Sequence, residues 1–251
     1  MKSFKEFFPA LLIILGLLFI WEAYARSGFI SGSVLPAPSH ILQALIAQRR
    51  VIMGHTLQTV SEALIGLSIA VVLGIFFGTI IFLSSKLRKA LYPLLVVSQT
   101  IPLIALAPLL LIWFGFDLLP KVVIVVLYCF FPITVAVSDG LVNADAHLVD
   151  LLKSMKASRW QTLQYVQMPA ALPAFFSGLK ISATYAITGA IVGEYVGAYK
   201  GLGIYMQSAA HSDAIDLVFA SILVIIVLSL ILLSFVIVVG KLCMPWRGEA
   251  N

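Results

Sequence analysis

Charged side chains are scarce in this sequence, and that scarcity excludes an ordinary soluble protein. Asp, Glu, Lys and Arg make up only 11% of the 251 residues, whereas a soluble domain carries about a quarter. Apolar residues make up 61% and fall in long runs; the runs 90–116 and 217–240 contain no charge at all. Because about 20 apolar residues span a hydrocarbon core of roughly 30 Å, we predict a membrane protein.

Motifs for catalysis and nucleotide binding are also missing. The sequence contains no G-x-x-x-x-G-K-[ST] phosphate loop and no H-E-x-x-H metal motif, and no predicted span carries a pair of carboxylates. We therefore expect no enzyme activity, no cofactor and no metal site, and no binding of ATP through the usual phosphate loop. The four histidines are scattered along the chain: His40, His55, His147 and His211.

The low cysteine count and the distribution of charge narrow the class of protein further. There are only two cysteines, Cys129 inside an apolar run and Cys243 near the C-terminus, so a structural disulfide is not expected. The formal net charge of +5 comes from residues that flank the apolar runs rather than from a basic array. Nucleic acid is therefore not an expected partner, and the lipid bilayer is.

The apolar runs predict an all-α polytopic membrane protein, with one domain over residues 1–251. Backbone amides in the bilayer core must be hydrogen-bonded within the protein, which favours helices. Three prolines interrupt the third run, and we predict a kink or break near Gln99 and Thr100. That irregular backbone either lines a watery pathway or is accommodated by neighbouring helices. The six predicted spans are 7–25, 57–83, 90–116, 122–138, 174–197 and 217–242.

Lysine and arginine positions predict the orientation. If both termini are cytoplasmic, 11 of these residues lie inside and five outside, and the opposite orientation reverses that bias. The first span also resembles a signal peptide, because small residues Ala23 and Ala25 form a small-x-small site. We favour a retained helix, since losing it would break the charge distribution of the remaining five spans.

A polar segment between the fourth and fifth spans, about 139–173, predicts a cytoplasmic loop of two short amphipathic helices. In the first helix the apolar residues share one side and the polar residues the other. The second helix begins at Ser158 with Gln161 three residues later, which is a capping box, and Pro169 is expected to end it. Such an apolar face is too short to span, so it indicates docking to a protein groove or to lipid. The residues assigned to this docking loop are Leu148, Asp150, Leu151, Leu152, Met155, Lys156, Ala157, Ser158, Trp160, Gln161 and Pro169.

The loop resembles the cytoplasmic "EAA" loop of ABC-importer permeases. The family's acidic-Ala-Ala triplet corresponds to Asp150-Leu151-Leu152 here, and its later aliphatic-x-Leu-Pro pattern corresponds to Val166-Gln167-Met168-Pro169. Lys156 stands where the family has Gly, which predicts a more continuous bend between the two helices or weaker coupling. Four segments resemble the nitrate, sulfonate, taurine and thiamine-precursor subgroup: "LPAPSHI", "SQTIPLIALAPLLLIWFG", "ASRWQTLQYVQMPAALPAFFSGLK" and "GAIVGEYVGAYKGLG".

The resemblance implies a permease subunit in a bacterial inner membrane. It would form a homodimer on two cytoplasmic ATPase subunits that bind the ATP, and it would accept solute from an extracytoplasmic binding protein. The implied solute is most like the hydroxymethylpyrimidine precursor of thiamine; sulfonate, taurine or nitrate is the alternative. An ion-coupled secondary transporter is the rival class, and it is disfavoured because it would need an ion site, for which the spans offer little besides Glu194.

Glu194 is the most unusual of the predicted pathway residues, because a carboxylate inside a span is costly. It is interpreted either as a snorkelling or ion-paired residue at the interface, or as a gate or hydrogen-bond acceptor toward an aminopyrimidine. Aromatic residues such as Tyr128 could stack on a heterocycle or anchor the protein at the interface. The full pathway set is Gln99, Thr100, Trp113, Tyr185, Thr188, Glu194 and Tyr195.

Glycines recur every four residues in the fifth span, at Gly189, Gly193, Gly197 and Gly201. On a helix this spacing creates a smooth groove that lets another backbone approach closely. We expect the groove to pack within the chain, and contact with a second copy is the alternative.

Overall fold

The computed structural model describes residues 4–29, 32 and 34–247. Within these residues it contains eleven α-helices and no strand. The all-α prediction is confirmed. The helices are α1 (Phe4–Arg26), α2 (Pro38–Ala47), α3 (Arg49–Leu83), α4 (Ser85–Ser98), α5 (Leu103–Phe114), α6 (Leu118–Val142), α7 (Ala146–Ser154), α8 (Arg159–Thr162), α9 (Met168–Tyr195), α10 (Leu202–His211) and α11 (Ile215–Cys243).

Four helical segments of the described chain are long and apolar enough to cross a membrane, and the bent pair α4–α5 gives a fifth crossing if it is counted as one span. The four are α3, α6, the continuous segment Arg159–Tyr195 and α11. The fourth predicted span was too short, because helix α6 extends to both sides of 122–138. Helix α1 occupies the predicted first span, but several of its first side chains lie outside the described residues, so this crossing stays a prediction.

The third predicted span is broken at the predicted position. Helix α4 ends at Ser98, helix α5 begins at Leu103, and the two axes differ by 96°. Pro102 lies in extended backbone directly before α5, and a proline disfavours helical geometry in the residue before it. Pro93 and Pro108 lie inside α4 and α5 without interrupting them. Only one of the three prolines therefore makes the corner.

The core is formed by helix α6, which packs between α3 and α9 through glycine contacts. A Cβ atom built on Gly66 of α3 would lie 2.5 Å from Val125 of α6, and one on Gly193 of α9 would lie 3.0 Å from the Lys121 backbone. A larger residue at either position would force the neighbouring helix to shift, so the glycines allow these helices to approach closely. The glycine groove of the fifth span thus packs within the chain, as expected.

Pro169 does not end the second loop helix, contrary to the prediction. Helix α8 continues through one π-helical turn, Leu163–Gln167, into α9, so that Arg159–Tyr195 is a single helical segment of 37 residues. The last amide of this wide turn, Met168 N–H, donates to the Leu163 carbonyl, and Pro169 follows directly. The proline therefore falls next to a local change of register, where its missing N–H interrupts no regular bond.

Candidate functional site

The loop between α6 and α9 presents an exposed apolar patch, formed by Leu148, Leu151, Met155 and Trp160. We call this the inner patch. Its members are 49–70% exposed, which is unusual for large apolar side chains outside the lipid-facing helices. Of the predicted docking face, Leu152 is half-buried instead. The predicted capping box is present, since Ser158 N–H donates to Gln161 Oε1 and Gln161 N–H to Ser158 Oγ.

A sharp turn separates α7 from α8, and Lys156 makes it. Lys156 has φ of 60°, in the left-handed region. Its N–H donates to the Lys153 carbonyl, and Ala157 N–H donates to the Leu152 carbonyl. These two bonds define a Schellman motif, with Lys156 at the position usually filled by Gly. The prediction of a more continuous bend is therefore wrong: the hydrogen bonds keep the turn although the glycine is absent.

The left-handed lysine leads to a stability prediction. Left-handed geometry costs an L-residue about 1–2 kcal/mol, and glycine avoids that cost. We expect Lys156→Gly to raise the melting temperature of the purified protein by about 2–4 °C, the shift that about 1 kcal/mol produces at this chain length. Lys156→Ala is the matched control, because alanine also removes the charge but keeps the Cβ atom. Equal stabilisation by alanine and glycine would contradict the backbone explanation.

A cavity of about 380 Å³ lies at the corner between α4 and α5. We call it the corner cavity. Its aromatic wall contains Tyr128 of α6 and Tyr185 of α9, whose ring centroids are 6.1 Å apart. Its volume is in the range of small-molecule sites. The lining residues are uncharged: Ser98, Gln99, Ile101, Pro102, Leu103, Leu127, Tyr128, Phe130, Phe131 and Tyr185.

The structure brings only two of the predicted pathway residues, Gln99 and Tyr185, into the corner cavity. Thr100 is exposed in the corner itself, and Trp113 is exposed on α5. Thr188 is also exposed, while Tyr195 is half-buried against the core. The role of each residue in transport stays a prediction.

A buried charged cluster lies at the far end of the bundle, opposite helices α7 and α8. It joins Glu62 of α3, Lys121 of α6 and Glu194 of α9, and each is at most 5% exposed. Lys121 Nζ lies 3.7 Å from Glu62 Oε1, which also accepts a hydrogen bond from Gln58. Thr59, three residues before Glu62 on α3, donates to Glu194, so the two carboxyl groups lie in the same buried region. Among the described residues, Glu62 Oε2 has no hydrogen-bond partner.

Glu194 is held by the groups around it. Its Oε1 accepts from Thr59 Oγ1 at 2.6 Å and its Oε2 from Gly203 N–H at 2.5 Å. Being fully buried, Glu194 does not snorkel to the interface, and that interpretation is wrong. It also lies outside the corner cavity lining, and its predicted role toward a solute stays a prediction.

Sequence reasoning missed Glu62 and Lys121 as members of this site. Both fall in or beside predicted spans, so the rule that intramembrane ionisable residues are functional candidates could have identified them. The absence of a carboxylate pair within any one span was misleading, because the pair forms between two helices. Only the packing of α3 and α9 on α6 brings the groups together.

Comparison with known proteins identifies the family. The family model described as "binding-protein-dependent transport system inner membrane component" matches residues 70–242. The chain therefore belongs to this family, and it is a multi-pass inner-membrane subunit of an ABC importer. It is a transport subunit rather than a catalytic one, and the family as a whole works with ATPase and binding-protein partners.

Individual relatives agree with the resemblance seen in the sequence. A probable ABC transporter permease of Haemophilus influenzae is 39% identical over 88% of this chain and 91% of its own length. The formylaminopyrimidine transport permease protein ThiX of Halalkalibacterium halodurans is 35% identical over 99% of both chains. More distant relatives are named for aliphatic sulfonates and taurine. The fold matches an inward-facing MetNI methionine ABC transporter structure with a TM-score of 0.69 at 16% identity, over 78% of this chain and 98% of that one.

Proposed function

We propose that this permease imports a thiamine-precursor pyrimidine by alternating access, and that the solute passes through the corner cavity. The observation that carries the proposal is the chemistry of that cavity, whose lining is aromatic and polar but uncharged. A pyrimidine is flat, aromatic and neutral, so it can stack on a tyrosine ring while its nitrogens bond to Gln99. The ThiX relative, similar over the whole chain, supports the same solute class.

Sulfonate, taurine and nitrate fit the corner cavity less well. Each of these solutes carries an anionic group, which in taurine is accompanied by an ammonium group, and burying an unpaired anionic group is costly unless a cation or a set of donors faces it. The described lining supplies neither lysine nor arginine. The distant taurine and sulfonate relatives therefore support the general class of transporter and not the identity of the solute.

The energy for this import is proposed to come from partner subunits. A homodimer of the permease would rest on two ATPase subunits that contact the inner patch. ATP-driven closure of the ATPases would move α7 and α8, and an extracytoplasmic binding protein would deliver the solute on the other side. With the predicted orientation, both chain termini and the inner patch face the cytoplasm.

The solute assignment is tested with the complete transporter reconstituted in nanodiscs. We expect hydroxymethylpyrimidine or formylaminopyrimidine, added with the binding protein, to stimulate ATP hydrolysis, and taurine and an aliphatic sulfonate to have no effect. Tyr185→Ala should weaken stimulation by the pyrimidine by about tenfold, since aromatic pairs contribute about 0.5–1.5 kcal/mol beyond their buried area. Tyr185→Phe keeps the ring and should retain most of the response.

Trp113→Ala is the matched control for Tyr185→Ala. It also removes an exposed aromatic ring, but from a position outside the corner cavity lining, so the response should stay unchanged. Stimulation by taurine, together with wild-type behaviour of Tyr185→Ala, would contradict the pyrimidine proposal.

A further inference from the structure

The start of helix α10 is bonded to two other helices. The first amides of a helix have no acceptor within it and need partners elsewhere. Here the acceptors come from α3 and α9 rather than from a local cap, since Gly201 supplies no side chain. The N–H groups of residues 201, 202 and 203 donate to His55 Nδ1 (3.1 Å), Thr59 Oγ1 (2.8 Å) and Glu194 Oε2 (2.5 Å).

Thr59 occupies the centre of this arrangement. Its hydroxyl accepts from Leu202 N–H of α10 and donates to Glu194 of α9, while the residue itself is fully buried on α3. One side chain therefore connects three helices. Removing the hydroxyl would leave a buried amide and a buried carboxyl each short of a partner, which is costly in a buried site.

Glycines let the chain close directly onto the carboxyl group. Gly201 has φ of 139°, and a Cβ atom built there would lie 2.2 Å from Glu194 Cδ. One built on Gly203 would lie 2.9 Å from Glu194 Oε2. The start of α10 thus fits against Glu194 without spare room, and the fit depends on where α9 places that residue.

Helix α9 connects this far end to the inner patch. The continuous segment Arg159–Tyr195 has 37 residues. At 1.5 Å per residue it is about 55 Å long, so a tilt of about 5° around its middle moves each end by about 2 Å. A hydrogen bond tolerates only a few tenths of an ångström. A small movement of α8 at the inner side would therefore separate Glu194 from Thr59 and Gly203.

We propose that Thr59 and Glu194 form a latch, which holds helix α10 closed at the far end of the bundle and which a tilt of α9 releases. Both are positioning residues, because they lie outside the corner cavity lining. The latch is independent of which solute the transporter carries. It would make the far end open only when the ATPase side has moved.

The test measures access to α10 in the complete transporter. Ala209→Cys places a thiol at a position of α10 that is 5% exposed, and Cys243→Ser removes the exposed native thiol. In nanodiscs without nucleotide, we expect Thr59→Val to raise the rate of maleimide labelling at position 209 by about tenfold, the effect of losing two buried hydrogen bonds. Thr59→Ser, which keeps the hydroxyl, should label at the parent rate.

Nucleotide dependence separates a latch from a merely loosened structure. The parent protein should change its labelling rate when a non-hydrolysable ATP analogue is added, whereas Thr59→Val should label fast in both states. If Thr59→Val fails to elute as a single species, Glu194→Gln serves in its place with the same expectation. Parent-like labelling of the variant, or equal acceleration by Thr59→Val and Thr59→Ser, would overturn the proposal.

Discussion

Leu151→Asp combined with Met155→Asp should abolish co-purification of the ATPase subunit with this permease. Both side chains belong to the inner patch and are more than half exposed. Burying an apolar side chain of this size contributes about 1.5–3 kcal/mol, so losing two of them weakens binding at least about 100-fold. The new carboxylates would also be left without partners in an apolar groove, which adds to the loss.

The control for this variant is Ala146→Asp with Lys153→Asp. It places two carboxylates on the opposite face of α7, where the residues are also exposed. We expect this protein to retain its ATPase subunit in a pull-down from detergent-solubilised membranes. If the Leu151 and Met155 variant still brought down the ATPase, the inner patch would not be the docking surface.

The second large effect concerns the buried charged cluster. Lys121→Met should reduce the yield of monodisperse protein severely, because it leaves Glu62 buried without its cation. Removing one member of a buried ion pair typically costs about 3–5 kcal/mol, a large share of the stability of a folded domain. Thermal unfolding in detergent, followed by size-exclusion chromatography, measures the loss.

Recovery by a second substitution distinguishes lost charge balance from lost packing. Lys121→Met with Glu62→Gln removes one charge of each sign, so we expect most of the stability to return. Lys200→Met is the surface control, since this lysine is exposed near the same end of the bundle. If the double variant were as unstable as Lys121→Met alone, lost packing rather than lost charge balance would account for the loss of stability.

Local sequence rules predicted the features that depend on a few neighbouring residues. The break near Gln99 followed from Pro102, and the capping box followed from Ser158 and Gln161, because the physical cause in each case lies within a turn of the residue. The same rules failed at Pro169, where a π-helical turn absorbs the missing amide. They also failed at Lys156, where two backbone hydrogen bonds hold a left-handed residue in a turn that usually needs glycine.

The candidate site was less predictable because it depends on how helices are rotated and packed. Trp113 and Thr188 belong to residue types suited to a pathway, but both are exposed and neither lines the corner cavity. Conversely, Glu62 and Glu194 are 132 positions apart in the sequence and meet only because α3 and α9 both pack on α6. No periodicity in one segment contains that information.

The buried ion pair between Glu62 and Lys121 affects how the transporter responds to voltage. Moving one elementary charge through the whole membrane field is worth about 2.3 kcal/mol per 100 mV. Because Lys121 balances the charge of Glu62, movement of these two residues together transfers no net charge. The pair can therefore rearrange at the same free energy in an energised and in a de-energised cell.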